Sequence, residues 1–430
     1  MDHKRRSLIA ALTASPLLAH AAARSSPRPV VVMTSYPDEV ITRFQEAFER
    51  AHPGFALQFL WRMPFDALPY LQQPGQGGVD VYWSASPRNF AALAAGGALR
   101  VLDIDRKDLP ARVGNADLAD PQGRYIATEM AAYGFAVNPA ALERLGLSAP
   151  EDWEDLAAPA LAGQIALPDP VTVGFAPVMI DIVLQAYGWQ RGWALWSEIA
   201  GNAQLTGHGG SFVTDLVGPG TLAVGLSIDF FVASAIAKGQ AIRLVYPRHT
   251  GINPAQVAIL RDAHELEGAR AFVAFLVSPA GQRILRDRSI RKLPVRPDAY
   301  ADSGVGDFNP FAAASAGGLA FDQKLALPRL GLVTAVFGQM ISQPHAELVT
   351  LWQRAHAAQA AGKDVGAVRA LLGAPPLGEQ EAADGALQAH FRRSTEGAAV
   401  PAPDAVESAW AQACQKRRID ARQMLEALGA

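Results

Sequence analysis

The chain has 430 residues, half of them apolar and 18% charged, enough core material for two or three packed domains. Its formal net charge of −3 gives a polyelectrolyte no electrostatic footing, and no Lys/Arg-rich face marks it for nucleic acid. The single cysteine, Cys414, excludes an internal disulfide framework and any cysteine-based metal cluster.

Lys4-Arg5-Arg6 precedes a short apolar run, residues 7–18, and then Ala19-His20-Ala21-Ala22-Ala23. A basic end, a brief apolar stretch and small residues at a cleavage point describe an export signal over residues 1–26, too short to span a bilayer. Arg5-Arg6-Ser7-Leu8-Ile9 also has the twin-arginine form. No later run reads as long enough to span a membrane, so the mature chain is expected to be soluble outside the cytoplasm, in the periplasm.

Residues 30–33 are a fully apolar short strand, followed by Thr34-Ser35-Tyr36-Pro37. Asp38 can cap a helix in which Val40, Ile41, Phe44, Ala47 and Phe48 recur at helical spacing, and His52-Pro53-Gly54 ends it. Residues 55–61 read as a second strand, so the unit is parallel and right-handed. A third unit has its strand at 79–83, its loop at Ser84-Ala85-Ser86-Pro87 and its helix at 89–95. Residues 125–138 read as a long strand. The run 165–167 is a strand stopped by Pro168-Asp169-Pro170, and Thr172-Val173-Gly174 leads into a helix carrying Val178, Ile182, Val183 and Ala186. Helices near 189–200 and 211–217, a strand at 221–228 and a helix from Asp229 follow. Strands at 241–247 and 256–260 and a helix at 266–276 then resume the first pattern. This gives an outer α/β lobe from 27–134 and 236–305, with a second α/β lobe, 135–235, inserted into it. From 306 to 430 the strands cease: 325–341, 346–361 and 406–428 carry helical spacing, and 374–404 reads as loop.

Ligands of parallel α/β sheets collect at the carboxyl ends of the strands. Thr34, Ser35 and Tyr36 sit at one such end, and Trp83, Ser84 and Ser86 at another; Trp83 can equally be a core residue. In the inserted lobe, free backbone N–H groups of Thr172, Val173 and Gly174, at a helix start, form a ready anion site. An ordinary βα turn is the alternative there. Gly209, Gly210 and Ser211 open the next helix in the same way, and Ser211 can also simply cap it. Asp229 can accept a hydroxyl or ammonium, or cap its own helix. His208, Arg248 and Arg296 are candidate cations, each otherwise a surface residue.

These residues also resemble a known family. Phe48-Glu49-Arg50-Ala51-His52-Pro53-Gly54, Asp80-Val81-Tyr82-Trp83-Ser84-Ala85-Ser86, Leu161-Ala162-Gly163-Gln164-Ile165-Ala166-Leu167-Pro168-Asp169-Pro170 and Ala271-Phe272-Val273-Ala274-Phe275-Leu276-Val277-Ser278-Pro279-Ala280-Gly281-Gln282 follow one another as in type II periplasmic solute-binding proteins of ABC importers. The branch is the one holding ferric-ion, hexose-phosphate and phosphonate binders. Asn309-Pro310-Phe311 and Leu351-Trp352 are similar to the phosphoglycerate-transport regulatory subgroup. The resemblance implies a two-lobe α/β type II fold with a hinge of two crossing strands, here with a helical C-terminal extension. It also implies closure on a ligand, docking to a membrane permease and a monomer. Iron binders of the branch carry adjacent tyrosines as metal ligands after the Val-Gly-Leu strand; here Val224-Gly225-Leu226 leads to Phe230-Phe231, which have no oxygen.

The expected function is capture of a small organic anion, such as a phosphosugar, phosphoglycerate or phosphonate, for an importer. Alternatives are a sensor presenting its bound state to a membrane histidine kinase, and a ferric-ion binder. No cofactor or metal is implied. No Gly-x-Ser-x-Gly elbow, His-Glu-x-x-His or paired carboxylate on one short element supports an enzyme.

Overall fold

The computed structural model describes residues 26–207, 210–288, 290–301, 308–392 and 404–429. The branched side chains at the start suit an extended, doubly buried backbone and form β1 (Arg28–Thr34). Helix α1 (Asp38–Ala51) buries Val40, Ile41, Phe44 and Phe48, and β2 (Phe55–Trp61) returns parallel to β1. Asp38 is not the cap of α1: Pro37 takes that position, and Asp38 adds negative charge to the first turn instead. Next come α2 (Pro64–Leu71), β3 (Val81–Ser84) and α3 (Pro87–Ala95); both helices open on a proline, where its missing N–H is no loss. A small hairpin of β4 (Arg112–Val113) and β5 (Ala116–Asp117) precedes β6 (Ile126–Val137), which is buried along its whole length.

The middle of the chain runs α4 (Pro139–Arg144), β7 (Ile165–Pro168), α5 (Ala176–Tyr187), α6 (Trp189–Gly201), β8 (Ala203–Thr206), α7 (Gly210–Val217), β9 (Val224–Ile228) and α8 (Asp229–Ala237). The return runs β10 (Arg243–Val245), β11 (Ile252–Ile259), α9 (Leu266–Val277), α10 (Pro279–Leu285) and β12 (Leu293–Pro294). The strand expected at 256–260 starts earlier because β11 pairs with β6 from Ile252 onward.

The strand order is β2-β1-β3-β11-β6-β9-β7-β8. β6 joins two lobes: its first half, to Ala132, pairs with β11, and its second half, from Tyr133, pairs with β9 and β10. The chain thus crosses once along β6 and returns antiparallel to it through β10 and β11. In the first lobe one core packs α1 and α9 on the sheet through Phe44, Phe48, Trp83 and Phe272, and the opposite face is covered through Leu71, Tyr82, Phe90 and Leu93.

The tail is helical: α11 (Pro310–Ser315), α12 (Gln323–Phe337), a π turn at Gly338–Ser342, α13 (His345–Ala360), α14 (Gly366–Gly373), α15 (Glu379–Ala382), α16 (Gly385–His390) and α17 (Ala405–Ala427). The short α15 and α16 lie in the stretch read from sequence as loop. Leu332, Phe337, Leu351, Trp352, Trp410 and Leu425 of the tail share one core with Ile180, Trp193 and Trp196 of the second lobe. Gln323–Ser342 is long and apolar enough to cross a membrane by length and composition, contrary to the sequence reading, but 67% of that window is buried against the protein.

Candidate functional site

The ends of β1 and β3 lie side by side, with Thr34 opposite Trp83. Thr34 is fully buried, and its hydroxyl accepts the Tyr36 N–H at 3.2 Å, turning the chain so that the Tyr36 ring lies 4.5 Å from Trp83. Trp83 is a core residue: it is fully buried, Phe44 and Phe272 pack on it, and its indole N–H donates to Thr128 Oγ1 at 3.0 Å. Ser35 is half-buried, and Ser86 stands at the start of α3, its carbonyl accepting the Asn89 amide at 3.0 Å while its hydroxyl makes no capping bond. Ser84 faces Gln256 across the β3–β11 ladder.

At the junction of the lobes, Glu129 of β6 is ion-paired with Lys292, and both side chains are buried. The Lys292 ammonium lies 4.6 Å over the Tyr36 ring and 5.0 Å over the Phe230 ring, so one cation touches the β1–α1 loop of one lobe and the first turn of α8 in the other. Asp229 is 1% exposed; its Oδ2 accepts the Ala132 N–H at 2.9 Å and the Tyr246 hydroxyl at 3.2 Å. Burial pushes the Asp229 carboxyl up to about 7, against the pull of the Ala132 amide, Lys292 and Tyr246. Burial, then the Glu129 carboxylate, holds the Tyr36 phenol well above its ordinary range. Among the described residues, Gln256 Oε1 is buried without a hydrogen-bond partner, and Tyr36 OH, Ser84 Oγ, Glu129 Oε2 and Asp229 Oδ1 are buried without a well-formed one, the Tyr36 phenol standing next to the Glu129 carboxylate and Ser84 next to the Tyr82 phenol.

In the second lobe, the loop from β7 to α5 is organised by Asp169. Its Oδ1 accepts the Val171 N–H at 2.9 Å, and its carbonyl accepts the Thr172 and Val173 amides at 3.1 and 2.8 Å. The expectation that Thr172 and Val173 offer free amides is therefore not met: the turn bonds both to the main-chain carbonyl of residue 169, and the aspartate side chain takes the Val171 amide. Gly174 and Phe175 differ, since among the described residues their N–H groups donate to no acceptor. Thr172 is exposed and Val173 buried. A Cβ on Gly207, at the end of β8, would lie 3.6 Å from Thr172 Oγ1, so the two loops are neighbours. Phe175 meets Phe231 at 6.0 Å, and Phe231 meets Phe230 at 4.2 Å, which continues the line to Lys292.

The structure thus brings Thr34, Tyr36, Trp83, Asp229 and, through the phenylalanines, the loop at 172–175 into one connected region. Ser84 and Ser86 stand on the neighbouring strand end. Gly209 and His208 lie outside the described residues, as does the signal stretch 1–25; Gly210 and Ser211 are described only as backbone opening α7. Arg296 is held by Asp298 and Asp108, and Arg248 by Asp152, none of which belongs to the cluster around Lys292. Glu129 and Lys292 were missed. The one available signal was Glu129, the lone charge in the apolar run of β6.

A family model described as bacterial extracellular solute-binding protein matches residues 88–312. The phosphoglycerate transport regulatory protein PgtC of Salmonella typhimurium is 30% identical over 270 residues, which are 62% of this chain and 66% of PgtC. The match therefore spans just under two thirds of that relative. Among solved structures, AfuA from Actinobacillus pleuropneumoniae with fructose-6-phosphate bound aligns over 70% of this chain and 97% of its own, at 20% identity and a TM-score of 0.54. Iron-bound HitA from Pseudomonas aeruginosa aligns over 71% and 99%, at 17% identity and a TM-score of 0.56. At these identities the likeness to the solved structures is one of fold: a two-lobe periplasmic binding protein, extended here by a helical tail.

Proposed function

Because the chain belongs to the bacterial extracellular solute-binding protein family, we propose that it captures a small phosphorylated organic anion bearing hydroxyls and delivers it to an ABC importer. Residues 27–134 with 236–305 form one jaw in this reading and 135–235 the other, exported by the signal at 1–26 and acting as a monomer. The observation that carries the reading is the set of buried oxygens without a well-formed partner around Lys292 and along β3–β11. Burying a polar group without a partner costs free energy, so a site of this kind is completed by what enters it. Glu129 Oε2, Gln256 Oε1 and ionised Asp229 Oδ1 accept, and therefore match ligand hydroxyls. Lys292 and the Gly174 and Phe175 amides at the α5 start are positive or donating, and match an anionic group. Thr172, Ser211 and the Ser35 and Ser86 hydroxyls complete the candidate set.

Fe(III) fits poorly. It requires several anionic oxygens, Phe230 and Phe231 supply none, and among the described residues no three His, Cys, Asp or Glu side chains gather into a metal site. Thermal-shift screening with fructose 6-phosphate, 3-phosphoglycerate, 2-aminoethylphosphonate, citrate and ferric citrate tests the reading. A ligand at a hundred times its Kd adds about 2.7 kcal/mol of stability. Stabilisation by ferric citrate alone would reverse the assignment. A second reading, a sensor that reports its bound state to a membrane histidine kinase, is favoured by the similarity to a protein named as a transport regulator. Neighbouring genes for a permease and ATPase support delivery; a kinase gene beside this one supports sensing.

A further inference from the structure

We infer that Ser342, on the π turn of the C-terminal extension, is a positioning residue for the β7–α5 loop, so that the tail is a working part of the ligand-binding lobe. The inference rests on the reading of that loop as an anion site.

Asp169 is the loop's staple. Its N–H donates to Thr206 O at 2.9 Å, its carbonyl takes the Thr172 and Val173 amides, and Oδ1 takes the Val171 amide. The same Oδ1 accepts the Ser342 hydroxyl at 2.8 Å, across 173 positions of sequence. Ser342 ends a stretch where the helix is widened by an extra residue in the turn: Gln343 N–H bonds back to Gly338 O at 3.0 Å rather than one residue later. Such π turns recur at functional sites. Gly338, at the start of the turn, lies under the loop, where a Cβ would meet Val171 Cγ2 at 3.4 Å.

The same tail also grips the helix that follows the loop. Arg329 Nε donates to Asp181 Oδ1 at 2.6 Å, with both side chains buried. Gln185 donates to Asp322 O at 2.9 Å and accepts the Asp322 N–H at 2.7 Å. With α5 fixed at its middle and end, the Ser342 bond settles the carboxylate that takes the Val171 amide, next to the Gly174 and Phe175 amides, which donate to no acceptor among the described residues. The tail residues in these contacts, Asp322, Arg329, Gly338 and Ser342, lie beyond the family match, which ends at residue 312.

The test uses the full chain with Ser342→Ala, read by amide hydrogen exchange and by affinity for fructose 6-phosphate and 3-phosphoglycerate. Loss of a hydrogen bond to a charged group should speed exchange at Val171, Thr172 and Val173 by roughly tenfold or more, while the unfolding midpoint moves by no more than about 3 °C. Ser342→Thr, which keeps the hydroxyl, should restore slow exchange; Ser342→Cys replaces the alanine variant should that fail to fold. Affinity for whichever phosphorylated probe binds should fall about three- to tenfold and recover in the threonine variant. Unchanged exchange at 171–173, or an equal rise throughout the chain, overturns the inference. Altered exchange with neither probe bound by the unmodified protein overturns the ligand reading and leaves the Ser342 role standing.

Discussion

Replacing Lys292 with methionine removes the cation at the junction of the lobes and leaves Glu129 alone. Glu129 is 1% exposed and Lys292 8% at their side chains, so neither charge has water to fall back on. Breaking such a pair from one side costs about 3–5 kcal/mol, because the surviving charge stays buried. Removing both charges, as Glu129→Gln with Lys292→Met, should recover most of that loss, since well-packed uncharged groups in place of a buried pair are close to neutral. The Tyr36 and Phe230 rings, 4.6 and 5.0 Å from the ammonium, lose a contact worth about 0.5–2 kcal/mol in both variants. Urea unfolding of the four proteins at one pH gives the double-mutant cycle, with a coupling of at least about 2 kcal/mol expected. Affinity for the phosphorylated ligand should fall in Lys292→Met by about 1.5–3 kcal/mol, the range for a hydrogen bond to a charged group. A single variant destabilised by less than about 1 kcal/mol, with unchanged affinity, would refute both the burial of the pair and its part in binding.

Asp229→Asn should flatten stability between pH 4 and 7. Folded Asp229 holds its proton up to about 7 against an ordinary 3.8, so its contribution is full below pH 4 and fades as pH rises to 7, by roughly 4 kcal/mol; an unaltered pH–stability curve in the variant rejects the shift. Trp83→Phe should lower stability by about 1 kcal/mol through the lost bond to Thr128 without changing affinity; a large affinity loss would make Trp83 a ligand platform after all. Arg329→Met should destabilise by about 3–5 kcal/mol by stranding Asp181, whose carboxyl burial already holds above its ordinary range against Arg329. Adding Asp181→Leu should recover most of it, and failure to recover would show that the two residues act separately.

Much of the architecture was legible because it is local. Valine runs, proline-opened helices and the apolar β6 announce themselves by spacing, and with them the strand ends where ligands collect. The site was legible only in part, because its decisive pairs are distant: Lys292 is 163 positions from Glu129, and nothing near either residue names the other. The Thr172 and Val173 amides were misjudged because their acceptor is a main-chain carbonyl, which any residue at 169 would supply; the aspartate side chain signals only the Val171 bond. For the tail, spacing gives the apolar face of each helix but not what that face covers, so its fusion with Ile180, Trp193 and Trp196 could not be read.

The phenylalanines at 230 and 231 do more than withhold oxygen from a metal. Phe230 lets the Lys292 ammonium rest on its ring, an attraction between a cation and the negative face of an aromatic group. That cation favours an anion and opposes a metal at the same point. A trivalent ion about 5 Å from one positive charge is repelled by on the order of 10 kcal/mol at an effective dielectric constant of about 20, before Glu129 offsets part of it. A phosphoryl group at that distance is attracted by a comparable order. Under the proposed function, the buried lysine and the ring beneath it favour an organic phosphate over iron, and an iron-binding variant would need Lys292 changed as well as tyrosines introduced at 230 and 231.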